Sequence, residues 1–176
     1  MKKKILFIYT NYSTFVKTDF EILASENEVT KYQFKPVRGL LKTALELIKQ
    51  KIYLLFNIWR FDAVFIWFAD YHSFLPVLFA KLTGKKSFVV VGGYDVANMP
   101  ELSYGSLSRP LRKKMALFTF KNATLNLAVV EALEKKIKSV SPKARTKTLY
   151  TGYKFLDKKN SQFAQERENM VLTVSI

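Results

Sequence analysis

Two short polar segments of this sequence follow apolar runs and carry side chains that could do chemistry. The first, Gly92-Gly93-Tyr94-Asp95, comes directly after the valine run 89–91. Glycine lets a ligand approach the backbone closely, and a carboxylate behind two glycines can orient a nucleophilic hydroxyl or bind sugar hydroxyls. A tight turn without a ligand, in which Asp95 stabilises the loop as an Asx-turn, accounts for the same residues.

The second segment contains Asp70 and His72 and follows the apolar run 62–67. His72 could hydrogen-bond a sugar hydroxyl or a phosphate, or it could begin a helix and point into solvent. Asp70 could position a reacting hydroxyl, or it could cap the next helix. Both alternatives remain open for each residue at the level of sequence.

The pattern of apolar residues predicts the elements that position these segments. Strands are predicted at residues 4–10, 29–34, 62–67, 87–91, 124–128 and 146–150, with helical patterns between them. Strands that alternate with helices indicate an α/β fold, a Rossmann-like three-layer sandwich with a mostly parallel sheet. Both polar segments then lie at the edge where the strands have their carboxyl ends.

A long amphipathic helix is predicted to open at Pro36. Its apolar stripe recurs at three- and four-residue spacing, which indicates a face packed against the core. The stripe consists of Leu41, Leu45, Ile48, Ile52, Leu55, Phe56 and Trp59.

The charge of the chain indicates a polyanionic partner. Lys and Arg number 29 against 14 Asp and Glu, a net charge of +15. Such a surplus favours nucleic acid, an anionic membrane surface or phosphorylated substrates. The basic residues predicted to form a membrane or anion surface are Lys42, Lys49, Arg112, Lys113 and Lys114.

Aromatic residues beside the basic ones suit a membrane surface, because rings lie at headgroup depth while lysines meet lipid phosphates. These residues are Tyr53, Phe56, Trp59 and Phe61. Core packing is the competing interpretation, and it is the preferred one for Phe56 and Trp59. No window has the roughly 20 continuous apolar residues of a membrane span, so a cytoplasmic protein is expected, either soluble or peripheral on the inner face of the membrane.

Composition and motifs argue against several other classes. The chain has no cysteine and a single histidine, which excludes disulfides and makes a zinc site improbable. The first strand is not followed by the glycine-rich sequence of dinucleotide-binding enzymes. No recognition helix or RNA-binding aromatic strand is apparent, so no specific nucleic acid is expected as a partner.

The order of these elements resembles the N-terminal half of GT-B glycosyltransferases, especially the retaining family 4 group. The segments that carry the resemblance are Lys4-Ile-Leu-Phe-Ile8, Asp62-Ala-Val-Phe-Ile-Trp67, Lys85-Lys86 leading to Asp95, and Asn122-Ala-Thr124 before Ala128-Val-Val-Glu-Ala-Leu133. The resemblance implies that this half binds the acceptor, which is lipid-linked or a polysaccharide, while a C-terminal domain holds the nucleotide-sugar donor. It implies neither a cofactor nor a metal.

Under this resemblance, residues 1–155 are the acceptor-side domain, 156–169 a linker and 170–176 the first strand of a truncated donor-binding domain, so that the fragment alone is inactive. The implied acceptor-binding residues are Gly92, Gly93, Tyr94, Asp95, His72 and Asp70, and the implied donor-proximal loop is Asn11, Tyr12 and Ser13. Catalytic residues stay unassigned. The alternatives are a last strand that docks on this same sheet, and a stand-alone basic Rossmann-like module that binds nucleotide, sugar or nucleic acid.

Overall fold

The computed structural model of this chain describes residues 2–37 and 39–150. The predicted linker 156–169 and the predicted strand 170–176 lie outside the described residues, so neither is tested.

Six strands form one sheet in which all neighbouring strands are parallel, in the order β2-β1-β3-β4-β5-β6. The strands are β1 (Lys4–Tyr9), β2 (Glu28–Gln33), β3 (Ala63–Trp67), β4 (Lys86–Val91), β5 (Leu125–Ala128) and β6 (Thr146–Thr148). The β-branched and aromatic runs of β1, β3 and β4 are buried almost throughout, as in a sheet covered on both faces. The predicted Rossmann-like α/β fold is confirmed.

The main helices of the described residues connect these strands. They are α1 (Thr14–Glu26), α2 (Leu40–Asn57), α3 (Tyr71–Leu82), α4 (Pro110–Asn122) and α5 (Glu131–Val140). α4 begins at Pro110, because proline suits the first helical position. Three short 3-10 turns lie in the long connection between β4 and α4.

The helices cover the sheet unequally. Val16 of α1 is buried with Phe7 and Phe65 on one face, whereas Leu54 of α2 and Ile137 of α5 belong to the core on the other face, together with α3 and α4. Right-handed crossovers require this, because the chain moves in one direction from β1 to β2 and in the opposite direction afterwards. The reversal places a topological switch point between the carboxyl ends of β1 and β3.

The orientation of α2 differs from the sequence prediction. Its buried residues are Gln50 and Leu54, and Ile58 is buried just after the helix. Nε2 of Gln50 donates to the carbonyl oxygen of His72 at 3.0 Å, whereas the buried Oε1 has no hydrogen-bond partner among the described residues. The stripe predicted to pack in the core is exposed instead, and it comprises Leu41, Leu45, Ile48, Ile52, Leu55, Phe56 and Trp59.

The preferred core placement of Phe56 and Trp59 is therefore wrong, because their exposed fractions are 72% and 65%. Of the neighbouring aromatics, Tyr53 is half-buried and Phe61 is buried. The physical reason is that α2 is apolar on two sides, and only one of them can meet the sheet. Within residues 2–37 and 39–150, no helix is both long and apolar enough to cross a membrane.

Candidate functional site

A polar crevice opens at the switch point, beside the carboxyl ends of β1, β3 and β4. Its volume is about 370 Å³, within the range of small-ligand sites. The residues that line the polar crevice are Thr10, Asn11, Pro36, Phe68, Asp70, Tyr71, His72, Tyr94 and Arg112. The position is the one where open α/β sheets bind ligands.

Asp70 and Arg112 form the charged centre of the crevice. Asp70 caps α3, since its Oδ1 accepts a hydrogen bond from the Tyr71 amide at 2.7 Å. Its Oδ2 lies 3.5 Å from Nη1 of Arg112, which also donates to the Tyr94 hydroxyl at 2.9 Å. The guanidinium carbon lies 4.8 Å from the centre of the Tyr71 ring. Arg112 is thus held on three sides while part of its side chain stays exposed.

The α3–α4 contact fixes this arrangement from behind. The Ser73 hydroxyl donates to the carbonyl oxygen of Asp70 at 2.6 Å and lies 2.8 Å from the Thr119 hydroxyl. Because a carbonyl oxygen can only accept, the Ser73 hydroxyl proton is used in the bond to Asp70. Thr119 is therefore the donor in its hydrogen bond with Ser73. These buried hydroxyls join the start of α3 to α4, the helix that carries Arg112 in its first turn.

His72 is buried in the wall of the crevice and does not point into solvent. Its Nε2 lies 2.9 Å from the carbonyl oxygen of Trp67, so this nitrogen carries the proton and donates. Burial is the main cause that lowers the pKa of His72. The ring is therefore neutral near pH 7, with a lone pair on Nδ1.

Asp95 does not reach the crevice, contrary to the sequence prediction that it contacts a ligand. The side chain is fully buried, where Oδ1 accepts from the Ala69 amide at 2.6 Å and Oδ2 from the Gly92 amide at 2.7 Å. Burial raises the pKa of Asp95 to about 7. The residue therefore ties the loop after β3 to the loop after β4.

The two glycines serve the same junction. A Cβ at Gly92 would lie 2.6 Å from Cε1 of Phe68, and Gly93 has a φ of +110° that favours glycine. Phe68 itself has a φ of 72°, a strained conformation for a bulky residue. Such strain is concentrated at functional sites, and here it lies in the wall of the crevice. Of the segment after the valine run, Tyr94 alone lines the crevice.

The first loop contributes one of its three predicted residues. Asn11 lines the crevice, whereas the Tyr12 hydroxyl accepts from Nζ of Lys31 at 2.8 Å. Ser13 precedes α1 as its N-cap residue but makes no side-chain capping bond.

The predicted basic surface divides into two groups. Lys42 and Lys49 are exposed on α2, and Lys113 and Lys114 are exposed on α4. Arg112 belongs to the crevice and not to this outer surface, which corrects its assignment. Pro110 at the first position of α4 was the signal that could have placed Arg112 at the ligand-binding edge. No cluster of three or more His, Asp or Glu suited to a metal occurs in the part of the chain that the structure describes.

Fold and crevice together define an α/β protein of Rossmann-like topology with a polar site at its switch point. Comparison with models of known protein families gives no match, and no curated protein is significantly similar in sequence.

Proposed function

We propose that this chain forms the acceptor-binding half of a GT-B type glycosyltransferase, which moves a sugar from a nucleotide sugar to a lipid-linked or polysaccharide acceptor. The observation that carries the proposal is the polar crevice at the switch point. It combines a carboxylate, a neutral imidazole, two phenols and one guanidinium, a set suited to a sugar that bears a phosphate.

Each group has a chemical role in this proposal. Asp70 and Nδ1 of His72 accept hydrogen bonds from sugar hydroxyls, and the exposed part of Arg112 binds the phosphate oxygens. The rings of Tyr71 and Tyr94 provide apolar walls beside them. No glycine-rich phosphate loop follows β1, where the sequence is Asn11-Tyr12-Ser13. In this proposal the donor is held by a second domain that faces the crevice.

We also propose that the protein lies on the cytoplasmic face of a membrane through the exposed stripe of α2. The stripe occupies an arc of about 100° and runs along about 22 Å of α2 from Leu41 to Phe56, and Trp59 lies in the 3-10 turn that follows. Lys42 and Lys49 border one side of the stripe and Lys51 borders the other. Apolar side chains between cationic rims are the pattern of a helix that lies in an anionic headgroup layer.

Ligand binding to the purified chain tests the acceptor assignment. The probes are glucose 1-phosphate, N-acetylglucosamine 1-phosphate, UDP-glucose, GDP-mannose and a 20-base oligonucleotide, followed by NMR. We expect the sugar phosphates to bind, and we expect Asp70→Asn to lower their affinity at least tenfold. Asparagine caps a helix as well as aspartate does, so this variant removes the charge and keeps the cap. Glu26→Gln, an exposed residue of α1, is the matched control.

Binding of the nucleotide sugars or the oligonucleotide in the crevice, without the sugar phosphates, would overturn the acceptor assignment and favour a stand-alone binding module. Transfer is measured separately in cells that express the gene, as radiolabel passing from nucleotide sugar into lipid or polysaccharide. Asp70→Asn is expected to lower this incorporation at least tenfold.

A further inference from the structure

A second cavity lies between the first turns of α2 and α4. Its volume is about 600 Å³, which falls within the roughly 300–1,000 Å³ of small-molecule sites. We call it the apolar groove. The residues that line it are Val37, Gly39, Leu40, Thr43, Leu47, Tyr71, Arg109, Pro110, Leu111, Arg112 and Met115.

The apolar groove and the polar crevice are continuous, because Tyr71 and Arg112 line both. Away from this junction the groove is walled by Leu40, Leu47 and Met115. Asp70 lies at the junction, where it pairs with Arg112. Among the described residues, it is the only acidic residue that lines either cavity. The combined site therefore offers an apolar channel that ends at a guanidinium beside hydrogen-bonding groups.

We propose that the apolar groove holds the first part of the hydrocarbon chain of a phosphate-bearing lipid, whose phosphate binds Arg112 and whose sugar lies in the polar crevice. The proposal rests on the proposed function, since it names the class of acceptor that the crevice takes. Arg112 contacts the ligand directly, and Arg109 adds a second positive charge at the groove.

The surroundings favour a lipid over other occupants. The charged residues that line the groove are Arg109 and Arg112, which complement the phosphate of an anionic lipid. A second copy of this chain is disfavoured because each copy carries a net charge of +15 and the two would repel.

The test uses farnesyl phosphate, a soluble prenyl phosphate, at concentrations below micelle formation. Binding to the purified chain is measured by calorimetry and by NMR, with farnesol and inorganic phosphate as partial ligands. We expect farnesyl phosphate to bind at least tenfold more tightly than either partial ligand, because each occupies only one end of the site.

Three variants locate the ligand. Thr43→Trp is expected to fill the groove and lower the affinity for farnesyl phosphate at least tenfold. Ile52→Trp, on the same helix but outside the groove, is expected to leave this affinity unchanged. Arg112→Ala is expected to reduce the affinity for farnesyl phosphate to that for farnesol. Arg112→Lys, which keeps the positive charge, is expected to restore part of the difference.

The outcomes separate this inference from the proposed function. Equal affinity for farnesyl phosphate and farnesol, or insensitivity to Thr43→Trp, would overturn the groove assignment even if sugar phosphates bind the crevice. Farnesyl phosphate binding that depends on Thr43 and Arg112 supports the groove assignment even if no sugar transfer is found. Absence of sugar transfer counts only against the glycosyltransferase proposal.

Discussion

Removal of the two exposed rings at the end of the stripe, Phe56 and Trp59, should release the protein from anionic membranes. The perturbation is the double variant Phe56→Ser, Trp59→Ser. An aromatic side chain has about 200 Å² of surface, and the exposed fractions of 72% and 65% leave most of this area in contact with water. If half of the exposed area enters the headgroup layer, about 25 cal/mol per Å² gives about 3 kcal/mol. This corresponds to roughly a hundredfold in partition.

The assay is cosedimentation with vesicles of phosphatidylglycerol and phosphatidylcholine. Ile52→Ser and Ile22→Ser form a matched pair, since both isoleucines are exposed, at 52% and 58%, but lie on α2 and α1 respectively. Only the α2 variant is expected to weaken binding. All these side chains are exposed, so the melting temperature should change little.

Charge provides a second part of the same test. Lys42, Lys49 and Lys51 border the stripe, and each lysine near an anionic surface contributes about 1 kcal/mol. Binding should therefore weaken as salt rises and as the anionic lipid fraction falls. The reasoning is refuted if the double variant keeps its vesicle affinity within twofold, or if Ile22→Ser loses as much affinity as Ile52→Ser.

Three further predictions concern the loops behind the crevice. The pKa of Asp95 is raised from 3.8 to about 7 in the folded protein, so its contribution to stability is full below about pH 4 and is lost as pH rises to about 7. The resulting fall is up to about 4 kcal/mol, and urea unfolding across this range should show it in the wild type and not in Asp95→Asn. Gly92→Ala, whose Cβ would meet Cε1 of Phe68 at 2.6 Å, should cost about 1–3 kcal/mol in thermal unfolding, and an unchanged melting temperature would disprove the contact. Gly105→Ala would place a methyl group against the Ala97 backbone at a φ of +97°, whereas Gly84→Ala has open space around its Cβ at a φ of +68°. Gly105→Ala should therefore lower the melting temperature far more than Gly84→Ala. Thermal unfolding followed by circular dichroism compares the two, and equal falls in melting temperature would contradict this.

The fold could be predicted because its signals are local. The buried runs of β1, β3 and β4 are β-branched and aromatic over several consecutive residues, a pattern that belongs to a strand covered on both faces. Pro110 marks the start of α4. Alternation of strands and helices then leaves little choice of handedness or sheet direction.

The placement of α2 could not be predicted because periodicity identifies an apolar face without saying what covers it. Leu54 and Ile58 lie on a second apolar side of the helical segment, and this is the side that meets the sheet. The polar Gln50 is buried beside them, and its residue type alone would place it outside a core. Its Nε2 bonds to the His72 carbonyl, 22 residues away in sequence, which satisfies one end of the amide and leaves Oε1 without a partner among the described residues.

The site shows the same limit. Asp95 follows two glycines and looks accessible by sequence, yet its oxygens accept from amides that lie on two different loops. Arg112 looks like one of three basic residues on a helix, yet its neighbours Asp70 and Tyr94 come from two other elements. In both cases the deciding contacts are long-range, so residue type and spacing alone assign the wrong surroundings.

Three features of α2 bear on the proposed capture of a lipid-borne acceptor. Its buried face holds the His72 carbonyl through Gln50, its first turn forms one wall of the apolar groove, and its outer stripe is exposed in the part of the chain that the structure describes. A protein that rests on the bilayer meets lipid-borne acceptors at a high effective concentration, so a modest affinity in the groove is sufficient for occupancy. Loss of the stripe should therefore raise the concentration of membrane-borne acceptor needed for half-saturation, while the affinity for soluble farnesyl phosphate stays unchanged. A parallel loss of both affinities would show that the stripe and the groove are one structural unit and not two separate contacts.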